Sequence, residues 1–323
     1  MKASFRKSYG PFNNIEVVEL EIPKPKPREI LVRIHATTVN RTDTAVVTGK
    51  PFLMRFFAGF PYPRYVTPGT DFAGIIEEVG VEVNNYKIGD KIFGFNDNGL
   101  GTQAEYACIS TKQAIAKIPN GFSFTKAAAS LEGAHYAINF LNKVDLKPTH
   151  NVMINGATGA IGSAALQFVK NIGCKVNAVA NAKNIEKIKE LGAAKVFNYE
   201  EEDFTQVDME KYHFIFDAVG KSSFGKCAPL LEDKGIYISS ELGPKNENPL
   251  LALRSKFYGN KKVIFPFPSD IPTSINKTIK LIEKGSFNPL IDRSYRLEDI
   301  VTAYHYVQSG QKTGNVILDL STQ

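Results

Sequence analysis

Cysteine is scarce in this chain. Its 323 residues hold three, Cys108, Cys174 and Cys227, far apart and with no C-x-x-C pair. That excludes a disulfide framework and a thiol zinc cluster, and it predicts free thiols in a reducing compartment. Long apolar runs are also missing: none approaches the roughly 18 residues of a membrane span. Met1-Lys-Ala-Ser-Phe opens into strand-like sequence with no signal-peptide pattern, so the expectation is a soluble, cytoplasmic protein. Lys and Arg outnumber Asp and Glu by 39 to 33, but no run of five basic residues occurs. A nucleic-acid surface is therefore not expected, and the surplus of +6 suits mild attraction for an anionic cofactor. No internal repeat or low-complexity segment breaks the chain, and its length favours two domains.

The most informative stretch is Asn151-Val-Met-Ile-Asn-Gly-Ala-Thr-Gly-Ala-Ile-Gly162. An apolar strand runs into a sharp turn, and Ile161, Ala165, Phe168 and Ile172 are then spaced for one helical face until Gly173 stops the helix. The turn reads Ala157-x-Gly159-x-x-Gly162, with alanine where a first glycine usually stands. Gly159 lets backbone approach a pyrophosphate, Gly162 lets helix pack on strand, and the helix N-terminus offers N–H groups. The other reading is an ordinary strand-to-helix turn of an α/β protein.

Residues 1 to about 117 read as short strands broken by Pro and Gly, an all-β half forming a partly closed barrel. Ile30, Val32 and Ile34 alternate with Leu31, Arg33 and His35 as in a half-buried strand. Ser123 or Thr125 then caps a helix carrying Ala127, Ala128, Leu131, Ala134 and Ala137. From Asn151 strands at 152–154, 175–179, 195–197, 214–216 and 236–238 alternate with helices near 160–172, 184–191 and 223–233, the pattern of a parallel, doubly wound sheet. Val263-Ile-Phe-Pro-Phe closes the sheet, and the segment from about 267 returns to the β half.

An acid about 20 residues past the glycines would take the ribose 2′-hydroxyl of NAD. Here the second strand ends Val179-Ala-Asn181-Ala-Lys183-Asn, with no acid before Glu186. Asn181 and Lys183 offer donors for a 2′-phosphate, so NADPH is expected over NADH. Lys183 reads equally as a solvated first-turn lysine.

Taken together, Val39-Asn40-x-x-Asp43, Gly69-x-Asp71-x-Ala73-Gly74, Gly89-Asp90, Ala104-Glu105-Tyr106, Leu191-Gly192-Ala193 and Lys312-Thr-Gly-Asn315-Val resemble the medium-chain dehydrogenase/reductase superfamily, in its zinc-free quinone oxidoreductase branch. The resemblance spans nearly the whole chain. It implies a GroES-like, partly open β-barrel catalytic domain from residues 1–117 and 267–323, with a Rossmann domain, 118–266, inserted. It also implies a homodimer joined through the edge strand near Val263. Zinc-dependent relatives place a cysteine at the position of Asn40, Gly-His-Glu at Gly69-Thr70-Asp71, and a cysteine near Glu132. Asn40 and Thr70 are poor zinc ligands, so no metal is expected.

By position the resemblance puts cofactor contacts on Asn40, His135, Ala157, Thr158, Gly159, Ala160, Ile161, Gly162, Asn181, Lys183, Tyr199 and Asn315, and more loosely on Ser239 and Ser240. His135, where relatives carry threonine, reads as a group near the nicotinamide or as a hydrogen-bonded core histidine. Tyr199 reads as a partner of the 2′-phosphate or a packing tyrosine, and Asn40 as an orienting group or a turn former. Without a Lewis acid the expected acceptors are quinones or α,β-unsaturated carbonyls, with Asn40, His135 and Tyr136 as donors to the developing oxygen anion. Residues 51–65 hold six aromatics, a methionine and three prolines; Phe52, Phe56, Phe60, Tyr62 and Tyr65 are candidate walls for a flat apolar substrate, or part of a folded-down loop or interface. Alternatives are an enoyl-thioester or other carbonyl reductase, which would need a basic cluster that Lys143, Lys147 and Arg254 do not clearly provide, and a non-catalytic NADPH-binding protein.

Overall fold

The computed structural model describes residues 1–257, 259–267 and 269–321. Pro268, Thr322 and Gln323, within the expected second segment of the catalytic domain, and Tyr258 lie outside the described residues. The chain divides into two compact units. Unit 1 comprises Met1–Glu132, Ile271–Ile279 and the chain from Pro289 onward, and unit 2 comprises Gly133–Asp270 and Lys280–Asn288.

Unit 1 begins with an antiparallel pair, β1 (Lys2–Phe5) and β2 (Glu16–Glu19). The long strand β3 (Glu29–Val39) organises the rest. Ile30, Val32 and Ile34 are buried as their alternation demands, and Arg33 is exposed. Leu31, on the opposite face, is buried as well. After β3 come two helices the periodicity does not announce, α1 (Arg41–Thr48) and α2 (Met54–Ala58), then β4 (Asp71–Val79), β5 (Lys91–Phe95), β6 (Tyr106–Ser110) and β7 (Ile115–Lys117).

The expected single helix after Ser123 is in fact two, α3 (Phe124–Ala129) and α4 (Glu132–Leu141). Ser123 supplies the cap, its hydroxyl accepting the Lys126 N–H at 3.2 Å. The break falls where the Ser130 hydroxyl turns back to the Ala127 carbonyl at 2.8 Å and its N–H bonds the same oxygen at 3.2 Å, tightening the last turn.

Unit 2 carries β8 (Asn151–Asn155), α5 (Ala160–Ile172), β9 (Lys175–Ala180), α6 (Ile185–Leu191), β10 (Lys195–Asn198), β11 (Tyr212–Asp217), β12 (Leu231–Ser239) and β13 (Lys262–Ile264). The six strands are parallel, in the order β10-β9-β8-β11-β12-β13. Counting from β8 this is 3-2-1-4-5-6, the order of dinucleotide-binding sheets, with its reversal at β8. On α5, Ala164, Ala165, Phe168 and Val169 face the core, while Ile172, expected on that face, is 37% exposed at the helix end. The helix expected over 223–233 shrinks to single turns at Phe224–Cys227 and Ala228–Leu230. Pro229 cannot continue an α-helix, and Leu231 already pairs with Tyr212 of β11.

The chain then returns to unit 1 as β14 (Ile291–Tyr295) and β15 (Asn315–Asp319). The completed sheet runs β14-β15-β3-β4-β5-β7, with β6 beside the first half of β3 and β15 beside its second half.

Candidate functional site

In unit 2 the turn after β8 lies at the carboxyl end of the strand where the order reverses, the position at which open α/β sheets bind ligands. Gly156 takes a left-handed conformation (φ 83°). A methyl on Gly162 would lie 2.2 Å from the Gly156 carbonyl oxygen, so only glycine lets α5 lie this close to the turn. Gly159 differs: a methyl there would meet only that same oxygen, at 3.5 Å, leaving its outer side open. Gly159 is the N-cap of α5 and no side chain caps the helix, so the first-turn N–H groups and the positive end of the dipole are offered outward. Ala157 is fully buried, with its N–H on the Val179 carbonyl at 3.2 Å, which ties the turn to the end of β9. These features fit a pyrophosphate.

At the end of β9, Asn181 begins a single 3₁₀ turn whose Asn184 amide donates to its side-chain oxygen at 2.6 Å. Lys183, two residues after Asn181, is exposed, and Tyr199, 58% exposed, is held by its N–H on the Ala180 carbonyl at 3.0 Å. Asn181, Lys183 and Tyr199 thus gather at one corner of the sheet. The structure adds a residue the sequence reading missed: the Glu200 carboxylate accepts the Ala182 N–H at 3.0 Å. The acid that reads a ribose is expected directly after β9, whereas this one arrives from the end of β10. The available signal was the register of two adjacent parallel strands, which puts both ends side by side.

Asp217, at the end of β11, was also missed. It is fully buried, accepts the Asn155 amide (3.1 Å), the Gly220 N–H (2.8 Å) and the Tyr237 hydroxyl (2.8 Å), and fixes the strand ends flanking the glycine turn. Ser239, wholly buried at the end of β12, accepts the Glu241 N–H through its hydroxyl at 3.2 Å, and Ser240 follows half-buried.

His135 is 1% exposed on α4. Its ring lies 3.3 Å from the Asn139 amide, which also donates to the His135 carbonyl at 2.8 Å. Burial drives its pKa down to about 4, so the ring is neutral at physiological pH. Half-buried Tyr136 meets it edge-on, with ring centres 5.6 Å apart.

In unit 1, Asn40 is the N-cap of α1. Its oxygen accepts the Asp43 N–H at 2.8 Å, the Asp43 carboxylate accepts the Asn40 N–H at 3.1 Å, and its amide donates to Thr38 and Thr70. Asn40 thus caps α1, with its side-chain oxygen and both amide hydrogens engaged. Beside it lie three buried carboxyls, Asp43, Asp71 and Glu132. Burial pushes Asp71 up to about 7 against the hydrogen bonds from Thr38 and Thr37. Asp43 is raised well above the carboxylate range by burial and by Asp71 and Glu132. Glu132 is raised by burial, opposed by the Thr42 hydroxyl bond at 2.5 Å. Burial also lowers half-buried Lys312 although Glu132 attracts its charge. Asn315 spends its side-chain amide on the Leu290 carbonyl at 2.9 Å.

At the positions where zinc-dependent relatives carry ligands the groups are otherwise engaged: the Asp71 oxygens accept from Thr37 and Thr38, and Asn40 is committed to its cap.

The aromatic loop is the largest departure from an enclosed wall. Phe52, Phe56, Phe60 and Tyr62 are 56–69% exposed. Phe56 and Phe60 stack at 5.5 Å and Phe52 meets Phe56 edge-on at 5.8 Å, so they pack mainly on one another. Tyr65 is half-buried and lies against Gly99 and Gly101.

Comparison with known proteins agrees with both units. Residues 26–120 match the model of the alcohol dehydrogenase GroES-like domain, and residues 191–318 that of a zinc-binding dehydrogenase. A chloroplast envelope quinone oxidoreductase homolog of Arabidopsis thaliana is 29% identical over 94% of each chain. A 2-methylene-furan-3-one reductase of Solanum lycopersicum is 25% identical over 96% of this chain and 78% of its own. The solved quinone oxidoreductase of Coxiella burnetii superposes with a TM-score of 0.85 at 25% identity over 99% of both chains.

Proposed function

The chain belongs to the medium-chain dehydrogenase/reductase superfamily, and from that premise we propose that it is an NADPH-dependent reductase of quinones or α,β-unsaturated carbonyls that works without zinc. The observation that carries the reading is the glycine turn at the strand-order reversal, open at Gly159 and closed at Gly162. Relatives named as quinone and enone reductases support the acceptor class. Unit 2 is the coenzyme-binding domain and unit 1 the catalytic domain.

When bound, NADPH supplies the hydride; the protein binds, orients and excludes water. The first turn of α5 would hold the diphosphate over Thr158, Gly159, Ala160 and Ile161, with buried Ala157 and Gly162 shaping the turn beneath. Lys183, Asn181 and Tyr199 would hold the 2′-phosphate, with the Glu200 carboxylate competing for the Ala182 N–H. His135, neutral and held by Asn139, orients its neighbours rather than giving up a proton. Tyr136 is the donor to oxygen on the acceptor, and water provides the remaining proton. Asn40 acts by fixing α1, and Ser239 and Ser240 border the coenzyme at the end of β12. A conjugated acceptor needs no Lewis acid, consistent with a donor set that does not suit zinc. Association through β13, the edge strand of the sheet, would make a homodimer in a reducing, cytoplasmic compartment.

The test is NADPH consumption with a panel of ortho- and para-quinones and small enones, run with and without chelator. Turnover that survives chelation is expected. Tight NADPH binding with no turnover on any acceptor would make the chain a binding protein, and loss on chelation would overturn the zinc-free reading.

A further inference from the structure

A groove of about 600 Å³ lies within unit 1, away from the groups discussed above. Its charged walls are Arg41 of α1, Lys50 and Arg55 of α2, with His305 beside them, while among the described residues no carboxylate lines it; Thr44 and Thr48 add hydroxyls from the face of α1. The Arg55 guanidinium sits over the Tyr9 ring at 4.9 Å and the Phe52 ring at 5.3 Å, a stacked arrangement that holds the charge in place. The groove therefore suits an anion, and a guanidinium in this setting matches phosphate.

The groove does not stand alone. Phe52, which stacks under Arg55, begins a ridge of large apolar side chains open to solvent: Phe52, Leu53, Phe56, Phe57, Phe60 and Tyr62 are 54–69% exposed. Scattered apolar residues on a surface need no explanation, but six within eleven positions do. Residues 44–70, which contain the ridge, hold Lys50, Arg55 and Arg64 and neither aspartate nor glutamate. Apolar rings flanked by cations, beside a phosphate-sized basic groove, complement a surface with an acyl interior and anionic headgroups. A second copy of the chain fits poorly. A two-fold contact through the ridge would bring these cations against their own counterparts with no acid in the stretch to pair them.

We propose that this face of unit 1 docks on an anionic phospholipid bilayer, with aromatic side chains at the headgroup–acyl boundary and a headgroup phosphate in the groove beside Arg55 and Lys50. The docking is peripheral; among the described residues no helix is long and apolar enough to cross a membrane. Its consequence is that the protein works where apolar acceptors are dissolved in lipid. The readout needs no coenzyme, so it stands or falls separately from the proposed activity.

The experiment is flotation of the full chain with large vesicles of pure phosphatidylcholine or of phosphatidylcholine containing phosphatidylglycerol. Binding to the anionic vesicles that weakens as salt is raised is expected, with little on the neutral ones. K50Q/R55Q removes two cations and should weaken that binding roughly 30-fold, at about 1 kcal/mol for each cation near the surface. L53S/F57S, at two exposed positions, should weaken it while leaving the thermal melt unchanged. Several outcomes overturn the proposal: no flotation with either vesicle, equal flotation with both, or K50Q/R55Q floating like the parent. Binding of inorganic phosphate, lost in K50Q/R55Q, without flotation would make the groove a site for free anions instead. A dimer that L53S/F57S converts to monomer, again without flotation, would make the ridge a contact between copies.

Discussion

The Glu200 carboxylate accepts the Ala182 N–H at 3.0 Å, at the corner of the sheet where Asn181 and Lys183 follow β9. Under the proposed function, that carboxylate competes with a 2′-phosphate for the same corner. Glu200→Gln should therefore tighten NADPH by about tenfold and leave NADH nearly unchanged, which titration of coenzyme fluorescence would measure. Lys183→Ala should do the reverse, weakening NADPH much more than NADH. If both variants shift the two coenzymes equally, this corner does not read the 2′ position.

Gly159 and Gly162 should separate stability from binding. Gly162→Ala drives a methyl to within 2.2 Å of the Gly156 oxygen and forces the backbone apart, at about 1–3 kcal/mol in a urea melt. Gly159→Ala meets nothing closer than 3.5 Å and should change stability by under about 0.5 kcal/mol. Its methyl projects on the open side, so NADPH affinity should fall at least about tenfold.

Asp71 makes stability depend on pH. Its folded pKa, about 7, is raised from the ordinary 3.8, so the native state keeps a proton that the unfolded chain has already released. Its contribution is fully present below about pH 4, declines as pH rises and is lost by about pH 7. Asp71→Asn should flatten that decline in urea midpoints measured from pH 4.5 to 7.5. An unchanged slope would remove Asp71 as its source.

His135 acts with the opposite sign. Burial lowers its pKa to about 4 from 6.5, so the unfolded chain binds its proton first, and its stabilising effect is lost as pH falls through that range. The pH profile of kcat between pH 6 and 8 should carry no inflection from this ring. His135→Gln should remove the acid-side loss of stability and reduce kcat by less than about a hundredfold, below a full general-acid effect.

The parallel sheet was the most legible part of the chain, because each strand-turn-helix repeat is local and Gly159, Gly162 and Gly173 punctuate it. The break between α3 and α4 was not, since it depends on one serine hydroxyl choosing a backbone carbonyl. Asn40 illustrates a residue whose type is compatible with two roles; its spacing from Asp43 was the sign of a helix cap, and the structure displays that cap. Glu200 and Asp217 escaped notice because each reaches its partner across the ends of neighbouring strands rather than along the chain. The aromatic loop was legible as unusual, but composition alone could not say which rings would be covered.

In unit 1, β15 fills the second half of one side of β3, and it is made only after all of unit 2. On the ribosome, β3 must wait with that edge bare while the intervening sheet, whose six strands are contiguous in sequence, can assemble. Birth order thus favours unit 2 maturing first, with an aggregation-prone margin exposed until the last strand emerges.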